Sequence, residues 1–356
     1  MPAYRAACLT LALAVLAAWS NAQAQQPIAQ YTRYLDPVGE LYGKVARLNR
    51  SQIATIQRGA ESGNAEDQLK YGMICETRYE TIGLTIAEGH AQRATWFEKA
   101  ALQGNAYAQR LLAASKVGQP SQMLLWYQRA AQQGDIPSAY SIGQLYFDGT
   151  LSGTPEPSQA TRWFLIAARG GDIEAAYRVG SFYEKGYGVA EDSAEAARWY
   201  EVAAKQGWQP AQLCLGELYE TGRGEPQNPE EAALWYSKVA DRYGDAAYKW
   251  ASLIADHRIH SEGEQNAQRL FRQAAALYKK EAKSANGDDA RKLGRMYESG
   301  IGVAQSPVDA YFWYGIADQE GCPTTAEMER IKTRLTTKQV SDVQKRIESW
   351  MDVPSE

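Results

Sequence analysis

The stretch AQLCLGELYETGRGEPQNPEEAALWYSKVADRYG, residues 211–244, decides the fold. Ala211, Leu215, Gly216 and Tyr219 stand at i, i+4, i+5 and i+8, one face of a helix. Gly222 and Gly224 follow, residues suited to the left-handed backbone that ends a helix and turns the chain. From Ala232 to Gly244 runs a second helical pattern, with Trp235-Tyr236 framed by alanines and a glycine as the stop. The stretch therefore reads as two helices joined by a turn.

The same pattern extends in both directions. Its aromatic pair recurs as Trp96-Phe97, Trp126-Tyr127, Trp163-Phe164, Trp199-Tyr200 and Trp313-Tyr314. Trp163, Trp199 and Trp235 are spaced by 36 residues, and Leu270-Phe271, 35 residues further on, is a degenerate copy. The first-helix glycine recurs at Gly72, Gly143, Gly180 and Gly294; Leu112 and Ala251 replace it in the second and sixth units. Asn105, Asp135, Asp172 and Asp245 stand where first helices need N-caps, and Gly104, Gly134, Gly171, Gly207 and Gly244 where second helices stop. One helix pair cannot bury its own apolar face, but stacked neighbours can. On this reading Trp199 and Trp235 lie buried between helices, and truncating either to alanine costs about 3–5 kcal/mol.

The pattern Ala-x-x-x-Leu-Gly-x-x-Tyr-x-x-Gly-x-Gly, then Ala-x-x-Trp-Tyr-x-x-Ala-Ala-x-x-Gly, resembles the Sel1-like repeat, a relative of the tetratricopeptide repeat. Ala211–Gly224 and Ala232–Gly244 match it nearly throughout, and the resemblance covers about residues 51–320. It implies an all-α fold: a right-handed α-solenoid of about six to seven Sel1-like helix-turn-helix repeats with terminal capping helices. It also implies a solenoid adaptor. Many bacterial members are exported and serve envelope assembly, polysaccharide secretion or host contact.

The departures are local. The first unit has five extra residues between Gly72 and Trp96, which reads as a loop over 76–90. The second lacks the inter-helix loop, and the sixth has His257 and Ile259 in place of its turn glycines. The link from Leu270 to Gly294 is seven residues beyond the norm and calls for a longer helix or a bend. Its charge cluster, Lys279 to Asp289, makes it and the 76–90 loop the expected first sites of proteolysis. The organisation expected is a leader over 1–24, N-terminal capping helices over 25–63, the repeat array over 64–320, and C-terminal capping helices over 321–356. Thr324-x-x-Glu327 and Thr336-x-x-Gln339 read as capping boxes for the last two helices.

Composition bounds the function. The 356 residues are 45% hydrophobic and 22% charged with a net charge of −4, which argues against a nucleic-acid partner. Arg5, the apolar run Ala6–Ala18 and Ala22-Gln23-Ala24 read as a secretory signal cleaved after Ala24, leaving no membrane span. Cys75, Cys214 and Cys322 then remain, an odd number that allows one bridge at most. The pair His257-x-x-His260, near Asp256, Glu262 and Glu264, has metal-ligand residue types but equally suits a polar loop. The Gly-x-Gly turns lack the preceding strand of a dinucleotide site. Glu184, Glu220 and Glu298 recur at equivalent helix ends, which marks repeat chemistry and not a paired-carboxylate site. No catalytic residue, cofactor or metal is assigned.

The candidate site is a face. Two residues before the repeat glycine stand Lys70, Arg110, Ser141, Arg178, Cys214, Lys249 and Lys292, of which five of seven are basic. The position after the glycine adds Arg295. In a tetratricopeptide-like solenoid such positions line the groove, so this stripe would attract an acidic protein segment or an anionic polysaccharide. The alternative is that long basic side chains lie over apolar neighbours. Trp208 takes the slot of a capping aspartate and reads as exposed, a contact residue, or as a lid over the adjacent turn. The function expected is a non-enzymatic periplasmic or secreted scaffold in exopolysaccharide export or envelope assembly. A glycan-binding module and a host-directed effector are the alternatives.

Overall fold

The computed structural model describes residues 37–116, 118–259, 263–284 and 287–351. The leader and His260 lie outside the described residues. Every regular element among the described residues is helical. They fall into two compact units, divided between Ser138 and Ala139.

The first unit holds α1 (Pro37–Ala46), α2 (Arg50–Glu61), α3 (Ala65–Thr77), α4 (Ile86–Leu102), α5 (Ala106–Ser115) and α6 (Pro120–Ala131). The boundary falls inside α7 (Ile136–Phe147). The second unit continues with α8 (Pro157–Arg169), α9 (Ile173–Lys185), α10 (Ser193–Lys205), α11 (Gln209–Thr221) and α12 (Pro229–Ser237). It ends with α13 (Gly244–Ala255), α14 (Glu264–Glu281), α15 (Gly287–Ser299), α16 (Pro307–Gln319), α17 (Thr325–Lys332) and α18 (Thr337–Met351). From α3 to α16 the helices form consecutive antiparallel pairs, seven in all, as the periodicity requires.

The expectation that Trp199 and Trp235 both lie buried holds for Trp235 and not for Trp199. The residue facing the repeat glycine is the second aromatic, not the tryptophan. A Cβ on Gly216 would lie 2.6 Å from the Tyr236 ring, and Gly180 meets Tyr200 and Gly294 meets Tyr314 in the same way. Tyr200, Tyr236 and Tyr314 are fully buried, Trp235 is nearly so, and Trp199 is only half-buried. One residue along a helix is a rotation of about 100°. The ring one position on therefore enters the glycine's gap while the tryptophan sits at its edge, as Trp235 does with the Lys238 ammonium 3.8 Å from its ring centroid. The recurring glutamates belong to the same seat. The Tyr200 hydroxyl donates to Glu184 at 2.7 Å, Tyr236 to Glu220 at 2.6 Å and Tyr314 to Glu298 at 2.6 Å.

The sixth pair keeps this seat by sliding it. Gly244 does not stop α12, which ends at Ser237; it opens α13, and its missing Cβ admits the Tyr278 ring. Gly244 lies seven residues before Ala251, and Tyr278 seven after Phe271. Antiparallel helices require such opposite shifts, and seven residues is close to two whole turns. The slide takes Asp245 from its expected capping role. It sits inside the first turn of α13 and accepts from the Tyr278 hydroxyl at 2.6 Å. His257 takes the turn glycine's place literally, with a φ of 54° that makes it the one non-glycine in left-handed backbone among the described residues.

Other helix ends follow the sequence more closely. Asn105 and Asp172 cap α5 and α9, and Asp135 accepts from the Ser138 amide at the start of α7. Thr336 and Gln339 form their reciprocal capping box. Thr324 and Glu327 do not: the Thr324 hydroxyl donates to the Tyr314 carbonyl at 2.6 Å, and Glu327 accepts from Arg291 at 2.7 Å. Residues 76–90 are not an open loop either. A 3-10 turn (Tyr79–Ile82) and a capping box at Thr85 and Glu88 carry the chain into the long α4. The long link near residue 280 is the 18-residue helix α14. At the C-terminal end α17 and α18 pack on α16, with Trp350 edge-on to Phe312 and Trp313.

Candidate functional site

Each basic residue of the stripe has an acidic partner. Lys70 pairs with Glu66 at 2.7 Å, and Arg110 with the buried Asp135 at 3.2 Å. Arg178 pairs with Glu174 at 2.9 Å and also donates to the Tyr140 hydroxyl at 3.0 Å. Lys249 lies 3.4 Å from both Glu217 and Glu220 of the preceding first helix. Lys292 lies 2.9 Å from Asp245 and 2.7 Å from Asp288, and Arg295 lies 3.7 Å from Glu327. The stripe is therefore one half of a set of ion pairs, several of which tie a helix to its neighbour in the array. A charge reversal at Lys292 would place another carboxylate beside Asp245, Asp288 and Asp289, and so would test folding before binding.

The Lys292 recess favours a proton on its carboxylates. Burial pulls Lys292 down, but its hydrogen bonds to Asp288 and Asp245 outweigh this and raise it. Burial pushes Glu281 up to about 7, helped by the charge of Asp289 and a hydrogen bond with it. Asp289 is raised as well, by burial first. The folded state thus binds this proton more tightly than the unfolded chain does. The second unit should gain stability as pH falls from about 7 towards the ordinary carboxylate range, and the gain should be absent above it. In urea melts at about pH 5.5 and about pH 7.5, Glu281→Gln should remove part of the wild-type difference between the two. An unchanged difference would show that the pair ionises independently of folding.

The structure brings two of the sequence candidates together. Arg178 and Trp208 line a cleft of about 380 Å³ with Phe147, Glu174, Tyr177, Ser181, Phe182, Lys185 and Tyr187. Helix α9 supplies most of it. Tyr177, Ser181 and Lys185 are spaced i, i+4 and i+8, so they form one edge. That spacing could have been read from the sequence, but the three residues occur together in no other unit: Tyr140 and Tyr248 repeat the tyrosine, and Ser252 the serine. Phe147 and Phe182 stack at 5.8 Å between centroids, with Tyr187 5.0 Å from Phe182. The Arg178 guanidinium lies 5.6–5.8 Å from the ring centroids of Phe164, Tyr140 and Phe147.

Trp208 is not exposed as expected. It occupies the N-cap position of α11 without capping it through a side-chain hydrogen bond, and its ring packs against Tyr177 at 6.4 Å. Its Nε1 is buried with no hydrogen-bond partner among the described residues. Burial pushes Tyr177 up to about 12. Lys70 and Arg110 lie in the first unit, and Lys249, Lys292 and Arg295 do not line this cleft.

The Sel1 repeat family model matches residues 94–105, 124–135, 136–172, 173–208, 209–242 and 288–317. These segments contain the glycine–aromatic seats at Tyr200 and Tyr314, and both the Gly216 and Tyr236 halves of a third. This is a Sel1-like repeat protein. A Sel1 repeat protein from Oxalobacter formigenes has a similar structure, with a TM-score of 0.55 at 21% identity over 86% of this chain and 93% of that one. A protective antigen of uropathogenic Escherichia coli is also similar, with a TM-score of 0.49 at 18% identity over 87% of this chain and 96% of that one. No curated protein matches the chain. Sel1 repeat arrays generally mediate protein–protein interactions and are generally non-enzymatic.

Among the described residues Cys75, Cys214 and Cys322 are free, and no group of acids, histidines and cysteines is arranged to hold a metal ion. Burial pushes the Cys75 thiol up to about 11 and Cys214 up to about 12, so neither is poised as a nucleophile. No described helix is long and apolar enough to cross a membrane.

Proposed function

We propose that this Sel1-like array is a non-enzymatic scaffold of the bacterial envelope, periplasmic or secreted, that holds another envelope protein. The observation that carries the reading is the aromatic cleft at Arg178 and Trp208, an opening on a face built mainly from first helices. The signal-like leader ending at Ala24 supports export, and exopolysaccharide export or envelope assembly is the setting in which such a scaffold would serve. In this reading the partner lies along the first helices of the second unit and is anchored in the cleft. Lys249, Lys292 and Arg295 flank it as charge-paired positions, where an acidic partner competes with the protein's own carboxylates. Lys70 and Arg110 hold equivalent pairs in the first unit.

The test is fractionation followed by affinity capture from the native host. The expected result is a periplasmic or released chain beginning at Gln25 that retains a defined envelope protein. An uncleaved chain in the cytoplasm, or turnover of peptidoglycan or β-lactams by the purified protein, would remove the proposal.

A further inference from the structure

We infer, resting on the scaffold reading, that the cleft seats an acidic segment of the partner protein which inserts one large apolar side chain. The lining is mainly apolar, and the Phe147–Phe182 stack with Tyr187 makes a preformed aromatic floor. A volume of about 380 Å³ lies at the small end of ligand pockets, the size for an anchor residue and not for a long polymer. Among the described residues the one unengaged charge in the lining is a cation. Trp208 Nε1 is a buried N–H without an acceptor among the described residues, an arrangement that costs stability. Lys185 is exposed and makes no ion pair among the described residues. The one carboxylate in the lining, Glu174, is already engaged by Arg178 and Tyr140. An unengaged cation calls for an anionic ligand. Aspartate or glutamate side chains beside an apolar anchor answer the Lys185 charge, whereas a neutral glycan leaves it unanswered.

The probe is a labelled decapeptide with a central tryptophan flanked by aspartates, titrated by anisotropy into the full chain from Gln25. Two controls replace the aspartates by asparagine or the tryptophan by serine. Wild type should bind the probe about tenfold more tightly than either control, with affinity falling at high salt. Ser181→Phe, which fills the cleft, and Lys185→Glu should each weaken it about tenfold while helicity and melting stay unchanged. Lys238→Glu, on the Trp235 ring outside the cleft, should leave binding as it is. Equal affinity for probe and controls, or unchanged affinity in both cleft variants, overturns the inference, as does binding of oligogalacturonate with no binding of the peptide. The scaffold reading is tested separately. If no peptide binds but Ser181→Phe still retains the native partner, the cleft assignment falls and the scaffold stands. If no version of the chain retains any partner, the scaffold falls too.

Discussion

Tyr236→Ala should destabilise the second unit by about 3–5 kcal/mol, the range for truncating a buried aromatic. The Tyr236 ring is fully buried, enters the gap left by Gly216, and donates to Glu220 at 2.6 Å. Its loss opens a cavity between α11 and α12 and leaves a half-buried carboxylate without that donor. Tyr236→Phe separates the two contributions: the ring stays seated and only the hydrogen bond is lost, for about 1 kcal/mol. Trp199→Ala should cost less than Tyr236→Ala, about 1–2 kcal/mol, because that ring is already partly exposed. Urea unfolding followed by helical circular dichroism checks all three. If Trp199→Ala proved the most damaging, the assignment of the glycine seat to the second aromatic would be wrong.

Gly224→Ala should cost about 2–4 kcal/mol, from two independent sources. Gly224 has a φ of 78°, where an alanine is strained. Its Cβ would also overlap the Ser193 carbonyl oxygen at the start of α10, so the inter-helix turn of one pair could no longer lie against the preceding pair. Gly207 is the control. Its φ is 87° but nothing lies within 4 Å of its missing Cβ, so Gly207→Ala bears the backbone strain alone, about 1–2 kcal/mol. Equal melting of the two variants would mean that the close approach at Ser193 contributes nothing.

The architecture was legible because the period of 36 residues is carried by residue types with few other uses, a glycine inside a helix and a tryptophan–aromatic pair. The choice between Trp235 and Tyr236 as the ring facing the glycine was not. Adjacent aromatics differ only by rotation about the helix axis, and the pattern alone does not fix that angle. Gly244 was read as a stop because earlier units end on glycine; only the position of Tyr278, far along the chain, shows that it opens a helix. The basic stripe was visible, but the carboxylates answering it were not. Asp245 is 47 residues from Lys292 and Asp135 is on the helix pair after that of Arg110. Trp208 stood out because it broke the capping pattern, which is how the sequence pointed to the cleft. Its neighbours depart from the pattern as well: Phe147 takes the slot of Glu184, Glu220 and Glu298, and Tyr187 stands inside a Gly-x-Gly turn where Arg223 and Ile301 stand in others, but that they meet was found only in three dimensions.

The tyrosine–glutamate seats also give the array a direction along the chain. Glu184 is answered by Arg223, 39 residues later, Glu220 by Arg258, 38 later, and Glu298 by Arg330, 32 later, in the first capping helix after the array. In each case the acid comes first and its cation later. Each seat borrows its cation from about one repeat further on, and where the array ends α17 supplies it.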